Sequence, residues 1–310
     1  MRWAARRGAP RLGRGHSRVS KGLAVRLPRP ILSVAAVGVT ALALTGCSTP
    51  GTTTDAGSPS PSAAACEPGA LPTLTDGVLT VGASDPYEPW YVGERTSGEG
   101  FESALVYAVA ERLGYEHDDV EWVDVTFDQI VAPAEKPFDL AAYQTTITEQ
   151  RRTAVDFSSP YLTTRQGVIV ADDGPYAGAT TLADLEGAKV GVTAAQTSLD
   201  AAEAAWGDAV EVVPFSAAGD GMQALSSGQV DAMVMDVDQG VAASTVYFPD
   251  TQVVGTLPQP GEPEQLGLVL DKDSALTACV SEAVDALEAD GTLASLRTEW
   301  LRSDDVPELG

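Results

Sequence analysis

Between residues 78 and 301, short apolar segments alternate with amphipathic helical patterns in two successive series. The first series has strand-like segments at residues 78–83, 120–125 and 138–142 and a helical pattern at residues 103–113 that stops at Gly114. The second has strand-like segments at residues 189–193, 210–214 and 232–235 and helical patterns at residues 198–206 and 220–227. Strands that alternate with helices form parallel sheets covered on both faces. The alternation therefore predicts an α/β fold with two lobes, each built on a mostly parallel sheet flanked by helices.

Two further strand-like segments, at residues 166–172 and 265–271, lie between the series and after the second one. We expect the chain to cross to the second lobe at the first segment and to return at the other. The predicted first lobe therefore comprises residues 71–166 and 267–303, and the predicted second lobe comprises residues 167–266.

The N-terminus has the composition of an export signal. Its first 46 residues contain nine Arg or Lys, no Asp or Glu, and an apolar segment at residues 31–44. A membrane-spanning helix needs about 20 apolar residues, so this segment is short for one. We predict a signal peptide at residues 1–46, and the alternative is a transmembrane anchor.

The apolar segment ends in Leu44-Thr45-Gly46-Cys47, which resembles the lipobox of bacterial lipoproteins. The resemblance implies that Cys47 carries lipid and anchors the exported protein to the outer face of the cell membrane. More than one acyl chain would make that anchor durable, because a single chain binds membranes only marginally. Residues 47–70 are rich in Ser, Thr, Pro and Gly, a composition that predicts a flexible tether.

Two cysteines, Cys66 and Cys279, remain after Cys47 is assigned to lipid. Cysteines outside the cytoplasm tend to pair. The returning C-terminal helices would bring Cys279 to the lobe that contains Cys66. We therefore predict a disulfide, with two separate buried thiols as the alternative.

The formal net charge of the chain is −25, and it becomes more negative once the basic N-terminal segment is removed. This acidity argues against nucleic acid as a partner, because phosphate binding requires a basic face. The acidity favours solubility in an exposed compartment and does not by itself define a ligand.

Hydroxyl side chains and an arginine converge in the segment TTITEQRRTAVDFSSPY, residues 145–161. Thr145, Thr146 and Thr148 precede Arg151, at the point where a predicted strand ends and a helical turn begins. A guanidinium offers a planar fork of donors to a carboxylate, and a helix N-terminus adds oriented N–H groups. This pattern predicts a site for a small anion or zwitterion; the alternative is a solvated Arg151.

Several phrases in order along the chain resemble family 3 of the extracellular solute-binding proteins, the receptor components of amino-acid ABC importers. The phrases that carry the resemblance are GFESALVYAVAERLG (100–114), FDLAAYQTTITEQRRTAVDFSSPY (138–161), LEGAKVGVTAAQTSLD (185–200), ALSSGQVDAMVMD (224–236) and ALEADGTLASLRTEWL (286–301). The resemblance implies a two-lobed periplasmic-binding-protein-like fold of type II, in which two hinge strands join the lobes and a ligand binds in the cleft between them.

The resemblance also implies roles for first-lobe residues. Arg151 matches the arginine that pairs with the α-carboxylate of the ligand, and Thr146 matches the threonine that supports it. Gln144 matches the residue whose backbone carbonyl accepts from the α-ammonium.

In the second lobe, Gln196 and Thr197 match a turn that presents N–H groups to the ligand, although Ala195-Gln196 departs from the family's Gly-Thr pattern. Asp236 matches the aspartate that takes the α-ammonium. The alternatives for Asp236 are a helix cap, or that Asp238 takes its role.

Aromatic residues wall the ligand in proteins of this family. Tyr87, Trp90 and Phe127 occupy the matching positions, with core packing as the alternative for Tyr87 and Phe127. Glu88 is interpreted as an exposed loop acid rather than as a ligand contact.

The sequence indicates binding rather than catalysis. His117 follows a helix end among acids, no His or Cys cluster has metal spacing, and no G-x-S-x-G elbow occurs. We predict no catalytic residue, metal or cofactor. The expected protein is a monomeric receptor that captures a polar amino acid, with glutamine or glutamate favoured and arginine or cystine left open, and delivers it to an ABC permease and its ATPase subunits. The alternatives are an enzyme on the same scaffold, such as a dehydratase, and a sensor domain.

Overall fold

The computed structural model describes residue 66, residues 70–259, residues 261–303 and residues 305–310. The predicted signal peptide, Cys47 and most of the predicted tether lie outside these residues. No helix in the described ranges combines the length and apolarity that a membrane crossing requires.

Strands and helices alternate along most of the described chain. The strands are β1 (Leu79–Ala83), β2 (Val120–Asp124), β3 (Leu140–Ala142), β4 (Asp156–Phe157), β5 (Leu162–Thr164), β6 (Gln166–Ala171), β7 (Lys189–Thr193), β8 (Glu211–Phe215), β9 (Ala232–Asp236), β10 (Thr251–Thr256), β11 (Glu264–Leu266) and β12 (Val269–Leu270). The α-helices are α1 (Phe101–Arg112), α2 (Phe127–Val131), α3 (Glu149–Arg152), α4 (Thr197–Trp206), α5 (Ala218–Ser226), α6 (Val237–Ala242), α7 (Thr277–Ala289) and α8 (Thr292–Trp300).

The first lobe is built on a sheet with the strand order β2-β1-β3-β12-β4. Its main core lies where α1, α7 and α8 pack together against this sheet, and it includes Trp90, Phe101 and Leu105, each fully buried. Helix α1 ends where the sequence predicts, because Gly114 adopts the left-handed conformation with φ of 86°.

The second lobe is built on a sheet with the strand order β10-β6-β9-β7-β8. Successive side chains of β6 lie on opposite faces of the sheet. Val168 and Val170 pack in one hydrophobic cluster, and Ile169 packs in another. The first cluster includes Ala202 of α4, and the second includes Met222 of α5. Helices therefore cover both faces, as an α/β lobe requires.

The predicted α/β class is confirmed, but both sheets are mixed. In the first sheet β1 runs parallel to β2 and β3, whereas β12 is antiparallel to β3 and β4. In the second, β7 runs parallel to β8 and β9, whereas β6 is antiparallel to β9 and β10. The antiparallel strands β6 and β12 are those that enter a lobe directly from the other one, and this direction of entry explains their orientation.

The two crossings are held side by side. Strands β5 and β11 pair antiparallel in a two-stranded ribbon, with Leu162 opposite Leu266 and Thr164 opposite Glu264. This ribbon immediately precedes β6 on one strand and β12 on the other. The ribbon therefore joins the two lobes, and Glu264 is the first residue of β11.

The end of the chain contacts the second lobe, which the sequence does not predict. After α8, the backbone N–H of Thr256 donates to Pro307 and the N–H of Leu309 donates to Thr256. The Leu309 side chain is buried in the core of that lobe.

The expected disulfide is present between Cys66 and Cys279, whose Cα atoms are 5.3 Å apart. It ties the segment before β1 to α7, and both cysteines pack against the main core of the first lobe. The disulfide therefore links the N-terminal segment of the first lobe covalently to its C-terminal helix α7.

Candidate functional site

A cavity of about 780 Å³ lies between the lobes. Ser84 after β1 and Gln144 after β3 line it from the first lobe, and Thr193 at the end of β7 and Asp236 at the end of β9 line it from the second. It opens at the carboxyl ends of parallel strands, where α/β sheets bind ligands because the connecting loops diverge there.

Arg151 borders the cavity at the first lobe. Thr148 caps α3, and its hydroxyl accepts from the backbone N–H of Arg151 at 3.1 Å. The guanidinium donates to the Thr146 carbonyl at 2.7 Å and, across the cleft, to the Ala195 carbonyl at 3.4 Å. Its central carbon lies 4.9 Å from the centre of the Phe127 ring. Arg151 is thus held between the lobes, although neither it nor Thr146 is among the residues that line the cavity.

Gln144 is fixed by a buried acid that sequence reasoning missed. Its backbone N–H donates to Glu102 at 2.8 Å, its side-chain amide donates to the same carboxylate, and its Oε1 accepts from the Tyr87 hydroxyl at 2.5 Å. Glu102 is fully buried and also accepts from Tyr91 and Tyr161. Burial raises the pKa of Glu102, while these hydrogen bonds oppose the increase. The Glu102 network therefore sets the position of both Gln144 and Tyr87 at the cavity.

Asp236 and Glu264 form the acidic side of the site. The side-chain amide of Gln166 donates to Asp236 at 2.7 Å and to Glu264 at 3.2 Å. Burial, followed by the charge of Glu264, raises the pKa of Asp236 to about 7. Glu264 was not among the predicted site residues. Its position in the acidic segment just before the second predicted crossing was the available signal.

The turn before α4 brings backbone and hydroxyl groups to the cavity. Ala195 has φ of 60°, a conformation that favours glycine, and Gln196 precedes the first helical residue, Thr197. Both Gln196 and Thr197 line the cavity, and the Thr197 hydroxyl donates to Glu264 at 2.9 Å. Although Ala195-Gln196 departs from the family's Gly-Thr pattern, Ala195 therefore adopts the backbone conformation that glycine favours at such a turn.

The structure brings together six of the nine predicted ligand-binding residues along the cavity wall: Tyr87, Phe127, Gln144, Gln196, Thr197 and Asp236. Trp90 does not lie where the resemblance places it. It is fully buried and packs edge-on against Phe101 in the first-lobe core, so it does not wall the cleft. Asp238, the fallback acid, is buried in α6 and does not line the cavity.

Glu88 also differs from expectation. It is half-buried and lines the cavity instead of standing as an exposed loop acid. Its backbone N–H donates to the hydroxyl of Tyr247 across the mouth of the cleft, at 3.0 Å. Tyr247 belongs to a π-helical turn, Ala243–Tyr247, on the second lobe. This hydrogen bond therefore links the two lobes across the cleft.

The site has no arrangement for a metal ion within the ranges that the structure describes, since no group of three His, Cys, Asp or Glu side chains could hold one. Its polar groups are instead a guanidinium, carboxylates, amides and hydroxyls. These suit hydrogen bonding and ion pairing to a small zwitterion.

Comparisons with known proteins agree with this arrangement. The model of the family described as bacterial extracellular solute-binding proteins, family 3, matches residues 79–303. The chain is 26% identical over 230 residues to the arginine-binding extracellular protein ArtP of Bacillus subtilis, covering 73% of this chain and 87% of that one. It is 30% identical over 214 residues to the glutamate-binding protein GluB of Corynebacterium glutamicum, covering 65% of this chain and 69% of that one.

The fold is also similar to solved structures. The structure of an ancestral arginine-binding protein bound to arginine matches with a TM-score of 0.59 and 32% identity, covering 72% of this chain and 98% of that one. The compared proteins bind different amino acids, so likeness alone does not select a ligand.

Proposed function

This chain belongs to family 3 of the bacterial extracellular solute-binding proteins, and from that premise we propose that it captures an amino acid in the cleft and delivers it to an ABC importer. The observation that carries the proposal is that opposite charges from the two lobes lie close to one cavity. Arg151 of the first lobe packs over Phe127, which lines the cavity, and Asp236 of the second lobe lines it directly. These groups suit the two ends of an α-amino acid.

The α-carboxylate would bind the guanidinium of Arg151, with support from the Thr146 hydroxyl and from an N–H group at the start of α4, next to Thr197. The α-ammonium would bind Asp236 and the backbone carbonyl of Gln144. The Tyr87 and Phe127 rings border the cavity and would exclude water, which strengthens the ion pairs beneath them.

Binding and closure are coupled in this proposal. A ligand held by groups from both lobes stabilises the closed arrangement and shifts the open–closed population toward it. The Glu88–Tyr247 hydrogen bond would add to closure at the mouth. A micromolar affinity corresponds to about −8 kcal/mol, which a buried, hydrogen-bonded zwitterion with aromatic contacts can supply.

The remaining assignments extend the same proposal. We assign residues 1–46 to a signal peptide, residues 47–70 to a tether anchored by lipid on Cys47, and the lobes to residues 71–166 with 267–303 and residues 167–266. The protein would act as a monomer on the outer face of the membrane, with a permease and its ATPase subunits as partners. It would release its ligand unchanged.

The two neighbouring arginines provide the test. Amino acids are screened by thermal shift, since a ligand of the folded protein raises the midpoint, and calorimetry then gives the affinity. We expect Arg151→Ala to weaken binding at least about 100-fold, because a desolvated charge-assisted pair is lost. Arg152→Ala is the control, because Arg152 is exposed. Equal affinity of the Arg151 variant and the unchanged protein would contradict the proposal.

A further inference from the structure

The cavity wall is acidic beyond what a zwitterion needs. Asp85, Glu88 and Asp236 line it, and no Lys, Arg or His of the described chain does. Glu264 lies behind Asp236, where its charge helps to raise the pKa of that carboxyl. Asp236 is assigned to an α-ammonium, which leaves Asp85 and Glu88 without a role in binding the amino-acid backbone.

Burial and the charge of Glu264 raise the pKa of Asp236, and the nearby guanidinium of Arg151 offsets this increase only in part. Arg151 donates to two backbone carbonyls, and it forms no salt bridge with a carboxylate within the described ranges. In the same ranges, neither Asp85 nor Glu88 takes part in a salt bridge. Once an α-carboxylate binds Arg151, the site retains an excess of negative charge.

The cavity wall also contains a buried hydrogen-bond acceptor that could accept from a ligand N–H. The Gln166 side-chain amide nitrogen donates to Asp236, Glu264 and the Thr197 hydroxyl, and these three acceptors fix the orientation of the amide. Its Oε1 is therefore left as a buried acceptor, and it receives no hydrogen bond from the residues that the structure describes. Gln166 is 1% exposed and lines the cavity. A buried acceptor without a donor is costly, and a ligand N–H would satisfy it.

The dimensions and the aromatic content suit a long side chain. At about 780 Å³, the cavity has room well beyond an amino-acid backbone. Tyr143, Tyr247 and Phe248 line it in addition to Tyr87 and Phe127. Aromatic faces attract cations through their ring electrons, so these walls suit an extended cationic side chain.

From these features we infer that the ligand is an α-amino acid whose side chain ends in a cationic group, an ammonium or a guanidinium, and that Asp85 and Glu88 select it. This inference rests on the proposed function and names its substrate class. It departs from the glutamine or glutamate favoured by the sequence, because a carboxylate side chain would meet like charges and an amide would leave them unpaired.

Matched ligand pairs test the charge alone. L-arginine is compared with L-citrulline, which has nearly the same shape but a neutral ureido end, and L-lysine is compared with L-norleucine. Calorimetry on the purified protein should give an affinity about 10- to 100-fold higher for the cationic member of at least one pair, the ratio expected for one charge-assisted contact. Citrulline, glutamine or glutamate binding as tightly as the cationic ligands would overturn the inference and leave the proposed function standing. If no amino acid binds, the proposed function itself fails.

Variants then test the two assigned residues. The double variant Asp85→Asn, Glu88→Gln should weaken binding of the cationic ligand at least about tenfold more than it weakens binding of L-citrulline. Glu99→Gln is the matched control, because Glu99 is exposed and does not line the cavity. Unfolding midpoints show that each variant folds. If the double variant binds the cationic ligand as tightly as the control variant does, Asp85 and Glu88 are not the selecting residues.

Discussion

Glu102 in the first lobe and Asp236 in the second are both withdrawn from solvent beside the same cleft, but their surroundings differ. Glu102 accepts hydrogen bonds from Tyr91, Tyr161 and both the backbone and the side chain of Gln144. Asp236 accepts from the Gln166 amide and lies near a second carboxylate, Glu264. Hydrogen-bond donors therefore surround Glu102, whereas Asp236 has fewer donors and lies beside another negative charge, so a cation would stabilise it.

The difference separates a structural role from a binding role. Burial alone does not distinguish them, because it raises the pKa of both carboxyls. The number of hydrogen-bond donors around each carboxylate distinguishes the two roles, because a carboxylate that already accepts several hydrogen bonds gains little from a ligand cation. We accordingly expect substitution of Glu102 to act mainly on stability and substitution of Asp236 to act mainly on binding.

The largest effect is expected from the disulfide, which staples the first lobe. Replacing both Cys66 and Cys279 by Ser should lower the free energy of unfolding by about 2–5 kcal/mol, because the bond closes a loop with a sequence separation of 213. Urea denaturation followed by circular dichroism measures the change. If the double variant also binds the ligand more weakly under native conditions, the disulfide does not act on stability alone.

Glu102→Ala should produce the next largest loss, about 3 kcal/mol of unfolding free energy. The substitution leaves the buried hydroxyl of Tyr161 and the backbone N–H of Gln144 without their acceptor, and each orphaned donor costs about 1–3 kcal/mol. Asp236→Ala is the matched variant in the other lobe and should cost much less in urea denaturation. Equal losses for the two variants would remove the distinction between the acids.

The smallest effect is a pH dependence of binding that originates at Asp236. With its pKa raised to about 7, this carboxyl contributes stability that is fully present below about pH 4 and is lost as pH rises through about 7. A ligand ammonium requires the ionised form, so affinity should rise about tenfold from pH 6 to pH 8. Calorimetry in two buffers should detect the released proton, and Asp236→Asn should bind more weakly, without this dependence.

Periodic patterns predicted the elements closely. The predicted strand at residues 189–193 matches β7, the predicted helix at residues 198–206 differs from α4 by one residue, and the predicted stop at Gly114 follows the end of α1. These features depend on local hydrophobic spacing and on glycine, which act over a few residues. The mixed sheets were not predicted, because strand direction depends on how the chain enters each lobe.

The candidate site was predictable only where a motif carried it. The resemblance assigned ligand contacts to Asp236 and Thr197, and both line the cavity. It assigned no role to Glu102, although that residue lies within a family phrase, and Glu264 lies outside the phrases. Trp90 was assigned to the cleft because an aromatic beside the Tyr87 loop is compatible with both a wall and a core. No spacing rule distinguishes those positions.

The sequence by itself determined the order of strands and helices, the division into two α/β lobes and the motif that contains Arg151. Only the tertiary structure decided which polar groups meet, since Glu102 contacts Gln144 across 42 residues and Gln166 contacts Glu264 across 98. Local patterns arise from the periodicity of neighbouring residues. The electrostatics of the cleft arise from segments that are distant in the chain and that folding brings within hydrogen-bonding distance, and this is why its charge excess becomes visible only in three dimensions.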